Sequence, residues 1–186
     1  MLRRLFISLC LVSSVAACGV AGDAPVRDPR LDALFAELAA APDAQAAHAV
    51  EERIWARWRE SGSATVDILL ERASAAENAG DANLAAEFLA QASELAPHFA
   101  EPWNRRAMIA YDAQDYAGAI SAIQETLRRE PRHFGALTGL ALIYEGLGRE
   151  RAALEAYRAV LAIHPHFGEA RQGVQRLTPR VDGRDV

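Results

Sequence analysis

Three prolines, Pro97, Pro131 and Pro165, stand at equal intervals of ~34 residues. A unit of that length has room for two helices and a turn. It cannot bury its apolar face alone, so copies must stack on one another. With each Pro at position 32, the units are residues 66–99, 100–133 and 134–167. Other columns then align: position 8 is Ala73, Ala107 and Ala141, and position 20 is Ala85, Ala119 and Ala153. Small residues recur where two helices of a hairpin approach closely. Larger groups fill the remaining columns, with Leu69, Trp103 and Leu137 at position 4, Ala86, Ile120 and Leu154 at position 21, and Leu89, Ile123 and Tyr157 at position 24. Gly80-Asp81, Gln114-Asp115 and Gly148 mark the turn inside each unit, where left-handed or capping backbone suits Gly or Asp. Residues 96, 130 and 164 each precede a proline, which drives them out of the helical region and ends the second helix.

These columns resemble the tetratricopeptide repeat, whose signature runs from a Trp or Leu through small residues, Tyr and large apolar positions to a closing Pro. The unit departs from it at position 7, where Arg72 and Arg106 stand before Leu140, and at position 27, where Thr126 and Val160 follow Ala92. The resemblance implies an all-α solenoid of helix-turn-helix hairpins whose concave face is lined by positions 2, 5, 9, 12 and 13 of each first helix. Carried over by register, those are Asp67, Leu70, Ser74, Glu77 and Asn78, then Glu101, Asn104, Met108, Tyr111 and Asp112, then Gly135, Thr138, Leu142, Glu145 and Gly146. Leu70, Met108, Tyr111 and Leu142 are expected to form an apolar floor, and Glu77, Asp112 and Glu145 an acidic edge. Such a groove suits a partner segment with apolar and basic side chains. It does not suit the family's capture of acidic chaperone tails, which uses Lys and Asn at places held here by Leu70, Ser74 and Gly135.

The flanks lack the repeat signature. Residues 31–63 form an N-terminal helical hairpin. Leu31, Leu34, Phe35 and Leu38 share one helical face, Asp43 is placed to cap a second helix, and Ala47, Val50, Ile54 and Trp58 are spaced by three or four before Ser61-Gly62-Ser63 ends it. As an atypical terminal unit it is expected to cover the first repeat, with Trp55 and Trp58 in the core. Residues 168–178 are expected to form a polar capping helix stopped at Thr178-Pro179, leaving 179–186 as a tail.

Residues 1–17 read as a signal peptide, with Arg3 and Arg4 ahead of the uncharged run Leu5 to Ala17. That run is short of the ~20 residues a membrane-spanning helix needs. Val15-Ala16-Ala17-Cys18 resembles the bacterial lipoprotein box, which implies lipidation of Cys18, a tether at 18–30, and residence on the periplasmic side of the cell envelope. Gly19, rather than Asp, favours the outer membrane by the same analogy. The alternative is a plain secretory signal cut after Ala17 or Ala21, giving a soluble periplasmic protein. In either case Cys10 is removed, so no intramolecular disulfide forms.

Catalytic chemistry finds little support. No Gly-x-Ser-x-Gly elbow, His-Glu-x-x-His helix, phosphate loop or dinucleotide glycine motif is present. Of His48, His98, His133, His164 and His166, three sit in a recurring Pro-(x)-His-Phe turn, and His164-x-His166 has no further ligand at metal-binding spacing. All twenty basic residues are Arg, and a formal charge of −5 argues against a broad nucleic-acid surface. The expectation is therefore a non-catalytic envelope adaptor with no cofactor or metal. The alternative is a fixed structural subunit of an envelope assembly, such as an outer-membrane assembly lipoprotein or a secretion pilot protein.

Overall fold

The computed structural model describes residues 28–183, and within them there are nine helices and no strand. They are α1 (Pro29–Ala39), α2 (Ala44–Trp58), α3 (Ala64–Asn78), α4 (Ala82–Leu95), α5 (Glu101–Asp112), α6 (Tyr116–Arg129), α7 (Phe134–Gly146), α8 (Glu150–Ile163) and α9 (Gly168–Asp182). The pairs α3/α4, α5/α6 and α7/α8 are the three repeats. None of these helices is long and apolar enough to cross a membrane. The signal segment, Cys18 and most of the tether lie outside the described residues.

Each repeat closes its internal turn in the same way. Gly80, Gln114 and Gly148 adopt φ of 77°, 60° and 69°. The next backbone N–H then reaches back across the helix end, from Asp81 to Ala76 O (2.9 Å), Asp115 to Ala110 O (2.9 Å) and Arg149 to Tyr144 O (2.8 Å). This satisfies a carbonyl that helix termination would otherwise orphan. Asp81 and Asp115 also cap α4 and α6, each carboxylate accepting a backbone N–H at 3.0 and 2.9 Å. At the other turn, Ala96, Glu130 and His164 share φ near −130° and ψ between 71° and 93°, as a following proline dictates. The alanine columns allow close packing: Ala73, Ala85, Ala119, Ala141 and Ala153 are wholly buried.

The N-terminal hairpin departs from expectation. It does not cover the first repeat; it lies along the row of proline turns and joins its core to the third repeat. The Trp58 indole stacks flat on His133, centroids 4.0 Å apart and planes 7° from parallel, and Trp55 packs edge-on against Phe134 at 5.3 Å. Asp32 pairs with Arg132 (2.8 Å), Glu51 with His164 (3.3 Å), and the Ala41 carbonyl accepts from His166 Nε2 (3.0 Å). The physical reason lies in side-chain size. The turns flanking the third repeat carry four rings, His133, Phe134, His164 and Phe167, that match two indoles; the first repeat, rich in alanine, keeps its Val66, Leu69, Leu70 and Leu89 for its own core. Two of the three recurring turn histidines, His133 and His166, thus contact the hairpin, while His98 stays exposed.

Both outer boundaries shift as well. Helix α1 begins at Pro29, where the ring fits the first turn and the Asp28 carboxylate accepts the Arg30 N–H (2.9 Å), so the tether ends earlier than expected. Helix α9 runs through Pro179 to Asp182. Pro179 removes one helical donor. Burial of Leu177 and Val181 against α8 holds the final turn in place, with Arg180 3.5 Å from Glu150 across the same seam.

Candidate functional site

The first helices of the repeats, α3, α5 and α7, line the concave face, and the structure sorts the expected groove residues into three groups. At the first repeat the groove is filled from within. Leu70 is a core residue packed with Val66, Leu69 and Leu89. Arg105, from α5, reaches across to donate to the Leu70 carbonyl (3.1 Å), to Ser74 Oγ (3.0 Å) and to both oxygens of Glu77 (3.2 and 2.7 Å). Beside it the Glu101 carboxyl is pushed up to about 7 by desolvation, against the opposing pull of Arg105 and a hydrogen bond from Asn104.

A second group serves packing. Thr138 is buried and donates its hydroxyl to the Phe134 carbonyl (2.8 Å). Glu145 accepts two hydrogen bonds from Arg176 of α9 (2.8 Å each) and one from the Tyr157 hydroxyl (3.2 Å). Glu77 and Glu145 are therefore neutralised from within, and the expected acidic edge reduces to Asp112. Leu70 and Thr138 are likewise not part of an open floor.

The third group does converge. Asn104, Met108, Tyr111, Asp112 and Leu142 surround a cavity of about 290 Å³ between the second and third repeats. Met108 is 60% exposed and Tyr111 40%, unusual for large apolar side chains and therefore informative. Of the described residues lining the cavity only Asp112 is charged.

The fourth side of the cavity comes from a residue that sequence reasoning assigned to the core. Trp55, from α2, lies over Gly135, a groove position without a side chain; a Cβ built there would stand 2.6 Å from the indole Cη2. Of the two glycines at groove positions, Gly135 has its space taken by another residue and Gly146 has nothing within 4 Å, so sequence alone carried no distinguishing signal. Neighbouring His133 is wholly buried. Its Nδ1 accepts the Ala136 N–H (3.1 Å), which places the proton on Nε2, and burial holds its pKa down at about 3. His164 and His166 turn to separate partners, Glu51 and the Ala41 carbonyl. Among the described residues no group of three His, Cys, Asp or Glu side chains could hold a metal ion.

Stacked helix hairpins of constant period and a concave face with an open apolar cavity define an α-solenoid interaction module. The chain belongs to the tetratricopeptide-repeat family. A family model described as tetratricopeptide repeat matches residues 104–166. A TPR repeat-containing protein of Rhizobium etli is 36% identical over 154 residues, spanning 83% of this chain and 76% of the relative. Solved structures share the fold. The first TPR of Spaghetti (RPAP3), bound to the HSP90 peptide SRMEEVD, superposes with a TM-score of 0.58 at 16% identity, covering 63% of this chain and 94% of that one. The crystal structure of MamA gives 0.58 at 22% identity, covering 76% and 81%.

Proposed function

We propose that this protein is a non-catalytic adaptor that captures a segment of another protein between its second and third repeats, the segment presenting an apolar side chain beside a basic one. The observation that carries the reading is the cavity itself: Met108 and Tyr111 stand exposed at its rim, and Asp112 is the one charge among the described residues of its lining. Apolar surface left open beside a carboxylate is the arrangement a cationic, amphipathic segment would complete. The fold supports a protein-binding role. The HSP90 peptide held by the first TPR of Spaghetti carries three carboxylate side chains. The present cavity, lined by a carboxylate and no cation among the described residues, would repel such a ligand.

The adaptor works, in this reading, on the periplasmic side of the cell envelope, tethered by lipid at Cys18. The support is the Val15-Ala16-Ala17-Cys18 box behind an Arg-led apolar run. A photo-crosslinker at position 142, in the same cavity lining, in envelope fractions, with Met108→Ala/Tyr111→Ala and Cys18→Ala beside it, tests both halves. Crosslinks to one partner, abolished by the double substitution in a folded protein, are expected; equal partner recovery by the double variant would refute the groove. Intact mass should show a diacylglycerol-bearing residue 18, lost in Cys18→Ala. An unmodified start would remove the anchor, and a stable stoichiometric complex on extraction would point instead to a fixed assembly subunit.

A further inference from the structure

We infer that the N-terminal hairpin, which belongs to none of the repeats, is the specificity element of this site: the Trp55 indole is the wall that sizes the concave cavity for one large apolar side chain beside a basic residue. The inference rests on reading the cavity as the capture site.

Three observations carry it. First, α7 has no side chain where the ring sits, since a Cβ on Gly135 would lie 2.6 and 3.1 Å from Trp55 Cη2 and Cζ2. The indole replaces a groove side chain with one supplied from α2. Second, the ring is fixed by its neighbours. Its edge contacts with Trp58, Phe134 and His133 have centroid distances of 5.1, 5.3 and 5.5 Å. Its Nε1–H donates to Glu51 Oε1 at 3.2 Å. The other Glu51 oxygen lies 3.3 Å from His164 Nε2 at the end of α8, so one carboxylate ties the indole to the third repeat. Third, about 290 Å³ lies at the lower end of cavities that enclose whole small molecules. A space of that size, walled by Trp55, Met108 and Leu142, takes a side chain of Leu or Phe size, and Asp112 selects a cation for its neighbour.

Because the wall arrives with the hairpin, hairpin docking and segment capture are coupled. A bound side chain touching Trp55 holds α2 against the third repeat, and release of α2 opens the cavity. Glu51 is a positioning residue in this scheme, acting through the indole.

The test uses the full chain and a defined probe, the peptide acetyl-Ala-Ala-Leu-Arg-Ala-Ala-amide, followed by NMR of the three indole N–H signals and the Met108 methyl, with Trp55 assigned by Trp55→Phe. The Leu peptide should shift the Trp55 and Met108 signals. Replacing its Leu by Ala should weaken binding by about tenfold or more, the consequence of losing one buried Leu-sized side chain. Replacing its Arg by Glu should weaken it further. Gly135→Ala is the decisive variant, because the first-turn backbone of α7 at this position is not one of the positive-φ sites and admits alanine, yet the added Cβ evicts the ring; it should move the Trp55 signal in the free protein and weaken the Leu peptide about tenfold. Trp55→Ala should weaken the peptide to the same degree, Trp55→Phe should retain more affinity, and Glu51→Gln should displace the Trp55 signal and weaken the peptide. If Gly135→Ala and Trp55→Ala bind the Leu peptide as the parent does, while Met108 still shifts, the wall role is wrong and the capture site stands. If no peptide moves Met108 or Trp55 in the parent protein, the capture site is wrong and the wall role goes with it.

Discussion

Two desolvated titratable groups pull the stability of this protein in opposite directions as pH falls, and separating them is a stringent test of the structure. His133 has its pKa lowered from 6.5 to about 3 by burial under Trp58. The unfolded chain binds this proton first, so the contribution is complete above about 6.5 and is lost as pH falls toward 3. Glu101 is raised from 4.5 to about 7 by desolvation. Its contribution has the opposite sign: it is complete below about 4.5 and is lost as pH rises through 7. At about 1.4 kcal/mol per pH unit, acidification from pH 7 to pH 5 removes about 2 kcal/mol through His133 and adds about 2 kcal/mol through Glu101. The parent protein should therefore be nearly flat across this window. The carboxylates held below their ordinary range, Asp28, Glu51, Glu125 and Glu145, begin to matter only below it. His133→Asn keeps an oxygen for the Ala136 N–H but cannot titrate. With only the Glu101 contribution left, the stability of that variant should rise by about 2 kcal/mol on acidification. Glu101→Gln should fall by about as much. Urea unfolding followed by circular dichroism at constant ionic strength, with the slope held common, reads all three proteins. Three parallel pH profiles would refute the desolvation assigned to both groups.

Other expectations follow from single contacts. Gly173→Ala sets a Cβ 2.4 Å from the wholly buried ring of Tyr157, and overpacking at that seam between α8 and α9 should lower stability by about 1–3 kcal/mol in denaturant unfolding. Gln114→Gly should do the reverse, raising stability by about 0.5–1 kcal/mol in the same assay, because φ of 60° strains any residue with a Cβ. Arg132→Ala loses the Asp32 and Glu130 pairs and the guanidinium stacked 4.3 Å from the Phe35 ring. It should speed hydrogen exchange in α1 and α2 while leaving α3 and α4 unchanged.

The repeats were legible because their signals are local. The proline that closes each unit ends a helix by its own stereochemistry, alanine columns mark close approach, and Asp81 and Asp115 cap the helices that follow them. The groove was legible only as a register. Sequence position placed Met108, Tyr111, Asp112 and Leu142 on one face, but could not show that Arg105 would fill the first repeat's share of it or that Arg176 would neutralise Glu145. Those pairings cross from one helical hairpin to the next element, and nothing in the periodicity distinguishes a paired carboxylate from a free one.

The hairpin marks the same division most clearly. Its two helices, the Asp43 cap and the buried face of Leu31, Leu38, Val50 and Ile54 follow from local sequence alone. Its destination does not. An amphipathic hairpin will settle on whichever surface best matches it. Here the choice between the alanine-rich first repeat and the ringed turns leading into the third was made by Trp58 finding His133, a partner at the last position of the second repeat. Local sequence determined the solenoid, its period and its turns, because each depends on the conformational preferences of a few adjacent residues. Only the tertiary structure decided where the solenoid is closed and which residue completes its cavity, because those depend on the fit between surfaces that do not exist until the chain has folded.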